Sequence, residues 1–426
     1  LISILKACGK INSNTDDSIF IGELSLSGHT RPVPGTLSMV LKAKKSGFKH
    51  IFIPAGNSGE ASIIGDIDIH PVEDVLSLVL HLRGEKEITP VHTPYIETDS
   101  QGSYLDYADV KGQEETKRAL EIAASGGHNM LMIGPPGSGK SMLAKRIPSI
   151  LPDMSFDESL ETTMIYSSIG KIEDSSPLIH TRPFRSPHHT VSTAGLSGGS
   201  SNPKPGEISL SHNGVLFLDE LPEFSRNAME VLRQPIADGV ITISRAKNTV
   251  TYPFNMMLVA AMNPCPCGYF VHPTRVCTCS STMINKYLGR ISGPLLDRLD
   301  IHVEVPPVDF DLLSSSKKSE SSADIKKRVE AAREMQTSRY KGTKIYCNAN
   351  IPSSSLHDIC KMTDKASILL KTAFERFGLS ARAYDRVLKV SRTIADLEGS
   401  ELIEASHTAE AVQYRTLDRK YWLREM

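Results

Sequence analysis

The sequence predicts an α/β protein, with a parallel-sheet core between a smaller α+β block and a helical block. Three observations carry this. From residue 109 to about 308, apolar runs such as "MLMI", "VLFL" and "NMMLVAA" alternate with helical stretches, the pattern of strands covered on both faces. A glycine-rich turn, "GPPGSGKS", joins one of those runs to a helix start. Beyond residue 324, segments such as "IKKRVEAAREMQ" and "YDRVLKVSRTIADL" keep a helical period with no strands between them.

The chain has 426 residues, enough for two or three domains with their own cores. Residues 1–88 mix strand-like runs ("IFIGELSL", "HIFIPA") with one amphipathic helix, "TLSMVLKAKKSG". Residues 89–108 and the Ser/Lys-rich 312–323 read as linkers, bounding a core at 109–311 and a helical domain at 324–426. Leu1 lies in what reads as a domain already under way, so residues before it are expected. The net charge of −1 provides no global field for a polyanion, so any nucleic-acid site must be local. No apolar run is long enough to span a membrane and no secretory signal is evident, so no membrane partner and a cytoplasmic location are expected. Seven cysteines in a chain this long do not make a disulfide scaffold.

The turn from Gly134 to Ser141 fits G-x-x-x-x-G-K-[ST]. Phosphate oxygens need several backbone N–H groups converging at close range, and glycine lets the backbone approach. Gly134, Pro135, Pro136, Gly137, Ser138 and Gly139 would form that cradle, with Lys140 reaching the outer phosphates and the Ser141 hydroxyl ligating Mg²⁺. "GVLFLDELPEF" supplies the partner strand: Asp219 to hold Mg²⁺ through water and Glu220 to polarise the attacking water. A third strand ends on Asn263, a side chain placed to orient water or sense phosphate loss. Phosphoryl transfer spreads negative charge that an arginine from a neighbouring subunit can stabilise. "GRISGPLLDRLDIHVEV" offers Arg298 first and Arg290 second, and "GLSARAYDRVLKV" puts Arg382 at a helix start as a clamp on the γ-phosphate.

Two insertions and a cysteine cluster remain. "RPFRSPHHTVSTAGLSGGSSNPKPGE" carries Arg182, Arg185 and Lys204 among small residues, and "ADGVITISRAKNTVTYPFN" reads as a hairpin with Arg245 and Lys247 near its tip. Such cations can grip a phosphate backbone, or the loops can serve as subunit contacts. His188 and His189 are adjacent and project differently, so structural or nucleotide-proximal hydrogen bonding is expected rather than a metal site. Cys265, Cys267, Cys277 and Cys279 form C-x-C-x9-C-x-C. Structural Zn²⁺, reduced buried thiols and two redox disulfides all remain open for them.

Together these runs resemble the AAA+ ATPases of the magnesium-chelatase-like group, and most closely the YifB/ComM family. "YADVKGQEETKRALEIAASGGHNMLMIGPPGSGKSMLAKR", "PGEISLSHNGVLFLDELPEF", "AMNPCPCG" and "SGPLLDRLDIHVEV" carry the resemblance, which covers nearly the whole chain. It implies an AAA+ P-loop ATPase core with a C-terminal helical lid, using ATP and Mg²⁺ in a homo-hexameric ring with active sites between subunits. It also implies that Asn263 is the first sensor, Arg298 the trans finger and Arg382 the second sensor, with Val110 and Gln113 near the adenine. "GELSLSGHTRPVPG" resembles part of a Lon-protease-like (S5-type) α+β domain through Gly22, Glu23, Leu26, Gly28, Pro32 and Gly35. The catalytic lysine of that domain would fall at Leu37 to Met39, where none stands, so an inactive module is expected. Lys42, Lys44 and Lys45 read as a helix's polar face. The implied activity is a helicase-like motor on single-stranded or branched DNA, driving branch migration in recombination or natural transformation. The alternatives are a motor subunit powering Mg²⁺ insertion into a porphyrin and a protein-remodelling ATPase.

Overall fold

The computed structural model describes residues 1–93, 105–172, 178–199, 204–244, 249–308 and 319–422. The chain forms two compact units, one of Leu1–Gln101 with Met154–Thr181, the other of Gly102–Asp153 with Arg182–Met426. Most of the expected linkers at 89–108 and 312–323, and the hairpin cations Arg245 and Lys247, lie outside the described residues.

In the first unit, strand β1 (Ser18–Phe20) is followed by a small antiparallel hairpin of β2 (Glu23–Leu24) and β3 (Thr30–Arg31). Strands β4 (His50–Pro54) and β5 (Asp68–Val72) join β1 in a parallel sheet of order β1-β4-β5. Alternation sends Ile51, Ile53 and Ile69 to one face, against Leu37, Val40 and Ala43 of the helix Thr36–Lys45. Phe52 and Val72 go to the other face, with Leu78 and Leu82 of the helix Val75–Leu82. Gly35 caps the helix Thr36–Lys45 in the left-handed region at φ +81°, a conformation that costs glycine little. On that helix Lys42 and Lys45 are exposed and Lys44 pairs with Asp66 at 3.0 Å. The sequence places the helix Phe156–Ser167 in the 109–311 block, yet it packs in this first unit. Phe156, Leu160 and Met164 join the Leu37/Val40 cluster, where they find an apolar partner surface.

The second unit is built on a five-stranded parallel sheet. Its strands in chain order are β6 (Met130–Ile133), β7 (Phe184–Arg185), β8 (Val215–Leu218), β11 (Met257–Met262) and β12 (Ile301–Glu304). Between β8 and β11, strands β9 (Val240–Ser244) and β10 (Thr249–Pro253) pair antiparallel, as the hairpin reading requires. The spatial order is β12-β6-β11-β8-β7, so β6 and β11 lie side by side at the centre. Every residue of β6, β8 and β11 is buried, which is why these strands read as continuous apolar runs rather than alternating ones. Met130, Met132 and Phe217 face one helical layer, and Leu131, Ile133, Leu216 and Leu218 the other.

The C-terminal helices Ser322–Arg339, Asp364–Phe377, Ala381–Leu397 and Ala405–Gln413 bury Val329, Leu370, Val387, Ile394 and Ala411 in the same core as the helix Glu114–Gly126. Ser321, Thr363 and Ser380 cap the first three, each hydroxyl accepting a backbone N–H of the first turn. Arg392 is fully buried among them and pairs with Asp396 at 3.0 Å.

Candidate functional site

The phosphate loop leaves β6 at Gly134, and the next helix begins at Lys140. A Cβ on Gly134 would stand 2.3 Å from the Val305 carbonyl oxygen, so only glycine fits between β6 and β12. Gly137 and Gly139 adopt φ +77° and +90°, left-handed turns that glycine makes at little cost. Lys140 is 8% exposed. Its ammonium donates to the carbonyls of Gly134 (2.8 Å) and Pro135 (2.9 Å) and to Asn263 Oδ1 (3.2 Å). Burial, opposed by the charges of Asp219 and Glu220, lowers its pKa to about 8.

Parallel pairing of β8 with β11 and of β11 with β6 brings the other acidic and amide groups to the same edge. Ser141 Oγ donates to Asp219 Oδ2 at 2.5 Å, so the hydroxyl and carboxylate expected to hold Mg²⁺ already converge. Asp219 Oδ1 accepts the Glu220 amide at 2.9 Å. Glu220 has φ +53°, a left-handed conformation uncommon for a side chain of this size, and its carboxylate meets His189 Nδ1 at 3.2 Å. Gln113, with φ +62°, donates to the carbonyls of Ser138 (3.4 Å) and Pro306 (2.5 Å). It thereby ties the segment ahead of β6 to the phosphate loop. Val110 is fully buried beside it, and its carbonyl accepts Lys117 Nζ at 2.8 Å.

The arginines stand elsewhere. Arg298 and Arg382 line one polar cavity of about 590 Å³, with Arg386, Lys389, Asn129 and Asp300. Gly127 and Asn129 in that lining precede β6, whereas Gly134 follows it. The cavity therefore opens at the strands' N-terminal edge, roughly 15 Å from the phosphate loop at about 3.3 Å per residue. Arg298 Nη1 donates to the Pro294 carbonyl at 2.7 Å, and its buried Nε has no hydrogen-bond partner among the described residues. Burial first, then the charges of Arg233, Arg382 and Arg386, lower its pKa. Arg382 is exposed and lies 3.6 Å from Asp297. Arg290 instead pairs with Glu223 at 2.8 Å.

Sequence reasoning missed Arg386. It reaches buried Asp300 at 2.9 Å, and Asp300 also accepts from His128 Nδ1 at 3.1 Å. Burial opposes the charge on Asp300, but Arg386 and His128 hold the carboxyl well below the usual carboxylate range. These partners lie far apart in sequence, so no local motif announces them. Two of the insertion cations, Arg182 and Arg185, have partners within the fold. Arg185 makes a bidentate pair with Glu207 (2.7 and 2.8 Å), and Arg182 donates to the carbonyls of Pro152, Asp153 and Asn213. Both are engaged in holding the fold.

The four cysteine sulfurs lie within 4.8 Å of one another just beyond Asn263. Cys265–Cys267 is 3.3 Å, Cys265–Cys277 3.7 Å and Cys267–Cys277 3.6 Å, and all four are free thiols. A tetrahedron of thiolates on zinc bonds of about 2.3 Å has edges of about 3.8 Å, so this donor set fits Zn²⁺. Burial opposes ionisation of Cys267, yet the backbone N–H groups of Tyr269 and Thr278 bring its thiol down to about 5. Gly268, at φ +83°, rests on the phosphate loop, where a Cβ would meet Pro136 Cδ at 2.4 Å.

The family model for magnesium chelatase, subunit ChlI, matches residues 106–313; the ChlI C-terminal model matches 319–415, and a further ChlI model matches 1–57. The chain is 43% identical to the uncharacterized protein YifB of Escherichia coli (strain K12) over 421 residues, 98% of this chain and 81% of the relative. The chain belongs to the YifB/ComM family of magnesium-chelatase ChlI-like AAA+ ATPases. It is also 42% identical to the competence protein ComM of Haemophilus influenzae over 424 residues, 98% of this chain and 82% of that one. The magnesium-chelatase subunit ChlI of Olisthodiscus luteus is 25% identical over 171 residues, 37% of this chain and 50% of its own. Among the described residues, no helix is long and apolar enough to cross a membrane.

Proposed function

We propose that this YifB/ComM-family ATPase works as a hexameric ring that hydrolyses ATP to move on single-stranded or branched DNA. One observation carries the ring: Lys140, Ser141, Asp219 and Asn263 share one edge of the sheet, and Arg298, Arg382 and Arg386 the other. A protomer's arginines then have no reach to its own phosphate site. Head-to-tail packing in a closed ring brings the arginine edge of one subunit to the phosphate edge of the next. On this reading Arg298 is the trans finger, and Arg382 acts beside it on the same neighbour.

ATP with Mg²⁺ fits the donor set, since a glycine-rich loop, a buried ammonium and a hydroxyl–carboxylate pair lie together. Bound there, the nucleotide supplies the transferable γ-phosphoryl group. Lys140 neutralises phosphate charge, Ser141 and Asp219 hold the metal, Glu220 orients water and Asn263 reports phosphate loss. His189 draws Glu220 aside until the site is assembled. Zn²⁺ on the cysteine cluster would pin the loop after Asn263. The first unit acts as an inactive Lon-protease-like module, because Leu37 is buried in its core where a catalytic lysine would stand.

DNA as the track rests on the competence role named for the Haemophilus influenzae relative, and Lys204, Arg245 and Lys247 remain as candidate contacts. ATP turnover with and without forked and single-stranded DNA, together with imaging of rings, tests the proposal. Stimulation by DNA in assembled rings is expected. Turnover indifferent to DNA, with no DNA bound, would refute the track and favour the chelatase-motor alternative that the ChlI matches keep in view.

A further inference from the structure

We propose that the first unit holds a divalent transition-metal ion, zinc being the best fit, on His50, Asp68 and His70. The sheet supplies the set. In parallel β4 and β5, His50 lies opposite Asp68, and His70 follows two residues on, on the same face. Their three donor atoms lie within 4.8 Å of one another. His50 Nδ1 stands 3.2 Å from Asp68 Oδ2 and 3.3 Å from His70 Nε2. Zinc bonds of about 2.0–2.1 Å set tetrahedral neighbours about 3.3–3.4 Å apart, so the donors already have the spacing of a ligand set.

The surroundings orient these donors. His70 Nδ1 lies 2.9 Å from the Ile88 carbonyl, which can only accept, so this nitrogen carries the proton. Nε2 is left with its lone pair directed at the cluster, the tautomer that a carbonyl partner imposes on a metal-bound histidine. The His70 ring stacks on Phe52 with centroids 4.6 Å apart, and Phe52 stacks on Phe20 at 4.8 Å, which locks the ring. His92 Nε2 lies 3.4 Å from Asp68 Oδ1 and steadies the carboxylate's other oxygen. Its neighbour Val91 is pinned to β5 by a 2.8 Å bond to the Ile69 carbonyl. His81 is close by, but its Nδ1 accepts the Ile88 amide at 2.9 Å and lies outside the ligand set. The side chains of His50 and Asp68 are 38% and 45% exposed, so an ion can enter and a fourth position faces solvent. Two imidazoles and one carboxylate suit Zn²⁺ and its spectroscopic stand-in Co²⁺.

Cobalt separates this site from the thiol cluster. Thiolate ligands give intense near-ultraviolet charge-transfer bands, whereas nitrogen and oxygen donors give only weak visible bands. The full chain, stripped with a chelator, is titrated with Co²⁺ and then Zn²⁺. A visible signal without thiolate bands is expected in a Cys265→Ser/Cys267→Ser/Cys277→Ser/Cys279→Ser variant, and Asp68→Asn should abolish it. His92→Gln should weaken binding about 10–100-fold without abolishing it, as loss of an outer partner does. If the cysteine variant does not fold, the difference between the full chain and Asp68→Asn reads the same quantity, since Asp68 is half exposed. Equal cobalt uptake and spectra with and without Asp68→Asn would overturn the proposal. The three side chains would then be a hydrogen-bonded trio, with the His50 Nδ1 proton shared between Asp68 and His70.

Discussion

Replacing Arg298 by alanine tests the division of the site between subunits. A trans arginine on a developing phosphoryl transition state is worth about 10³–10⁵ in turnover, or about 4–7 kcal/mol. The fold should hardly notice. Among the described residues Arg298 makes one hydrogen bond, to Pro294, and it is repelled by Arg233, Arg382 and Arg386. Loss of the bond and relief of the repulsion offset each other, leaving stability within about 1–2 kcal/mol. Nucleotide affinity should stay near wild type, since Lys140 and Ser141 lie at the other edge. The decisive assay mixes Arg298→Ala with Lys140→Ala, each inactive alone. A seam works when its phosphate loop comes from the first variant and its arginine from the second. Random one-to-one rings therefore recover roughly a quarter of wild-type turnover, one half times one half. If the mixture turns over no more than its parents, with rings confirmed by light scattering, the arginine does not act across a subunit boundary.

Four further outcomes are expected. Lys140 titrates near 8, and phosphates favour its ammonium, so nucleotide binding takes up protons and weakens above pH 8 by up to about tenfold per unit. Calorimetry of ADP binding at pH 7 and 8.5, in buffers of different ionisation enthalpy, reads that uptake, which should vanish in Lys140→Ala. The same depressed lysine is a burden on the fold below pH 8, relieved as pH rises from there toward the ordinary lysine value, where only the unfolded chain still holds the proton. Glu220→Gln should cut hydrolysis about 10²–10⁴-fold while leaving binding of a non-hydrolysable analogue intact, and single-turnover kinetics checks the separation. Cys267→Ser should lower the zinc content measured after gel filtration and, through the loop that it closes, reduce the melting temperature by several degrees.

The phosphate loop was legible because its chemistry requires contiguous residues: glycines, a lysine and a serine in fixed order between a strand and a helix. The sheet was legible for a related reason, since strands buried on both faces read as unbroken apolar runs. What escaped depends on pairings across the fold. Arg386 acquires meaning only through Asp300 and His128, which come from three distant segments. Arg182 and Arg185 read as candidate grips on a phosphate backbone because their acceptors, the Pro152 carbonyl and the Glu207 carboxylate, are not visible as partners in a linear reading. The helix Phe156–Ser167 joined the first unit because its apolar face matches Leu37 and Val40, a complementarity of surfaces rather than of sequence order. Asp68 and His70 left a faint trace, the alternating "DIDIH", but His50 joins them only through strand register.

The contact between Gly268 and Pro136 leaves no clearance for even one methyl group. A contact this tight would pass a displacement from either side to the other. Oxidants or chelators that reshape the sulfur cluster should therefore alter the grip on triphosphate, and a bound triphosphate should slow the reaction of those sulfurs with alkylating reagents. Both outcomes would tie nucleotide binding to thiol state through one backbone contact.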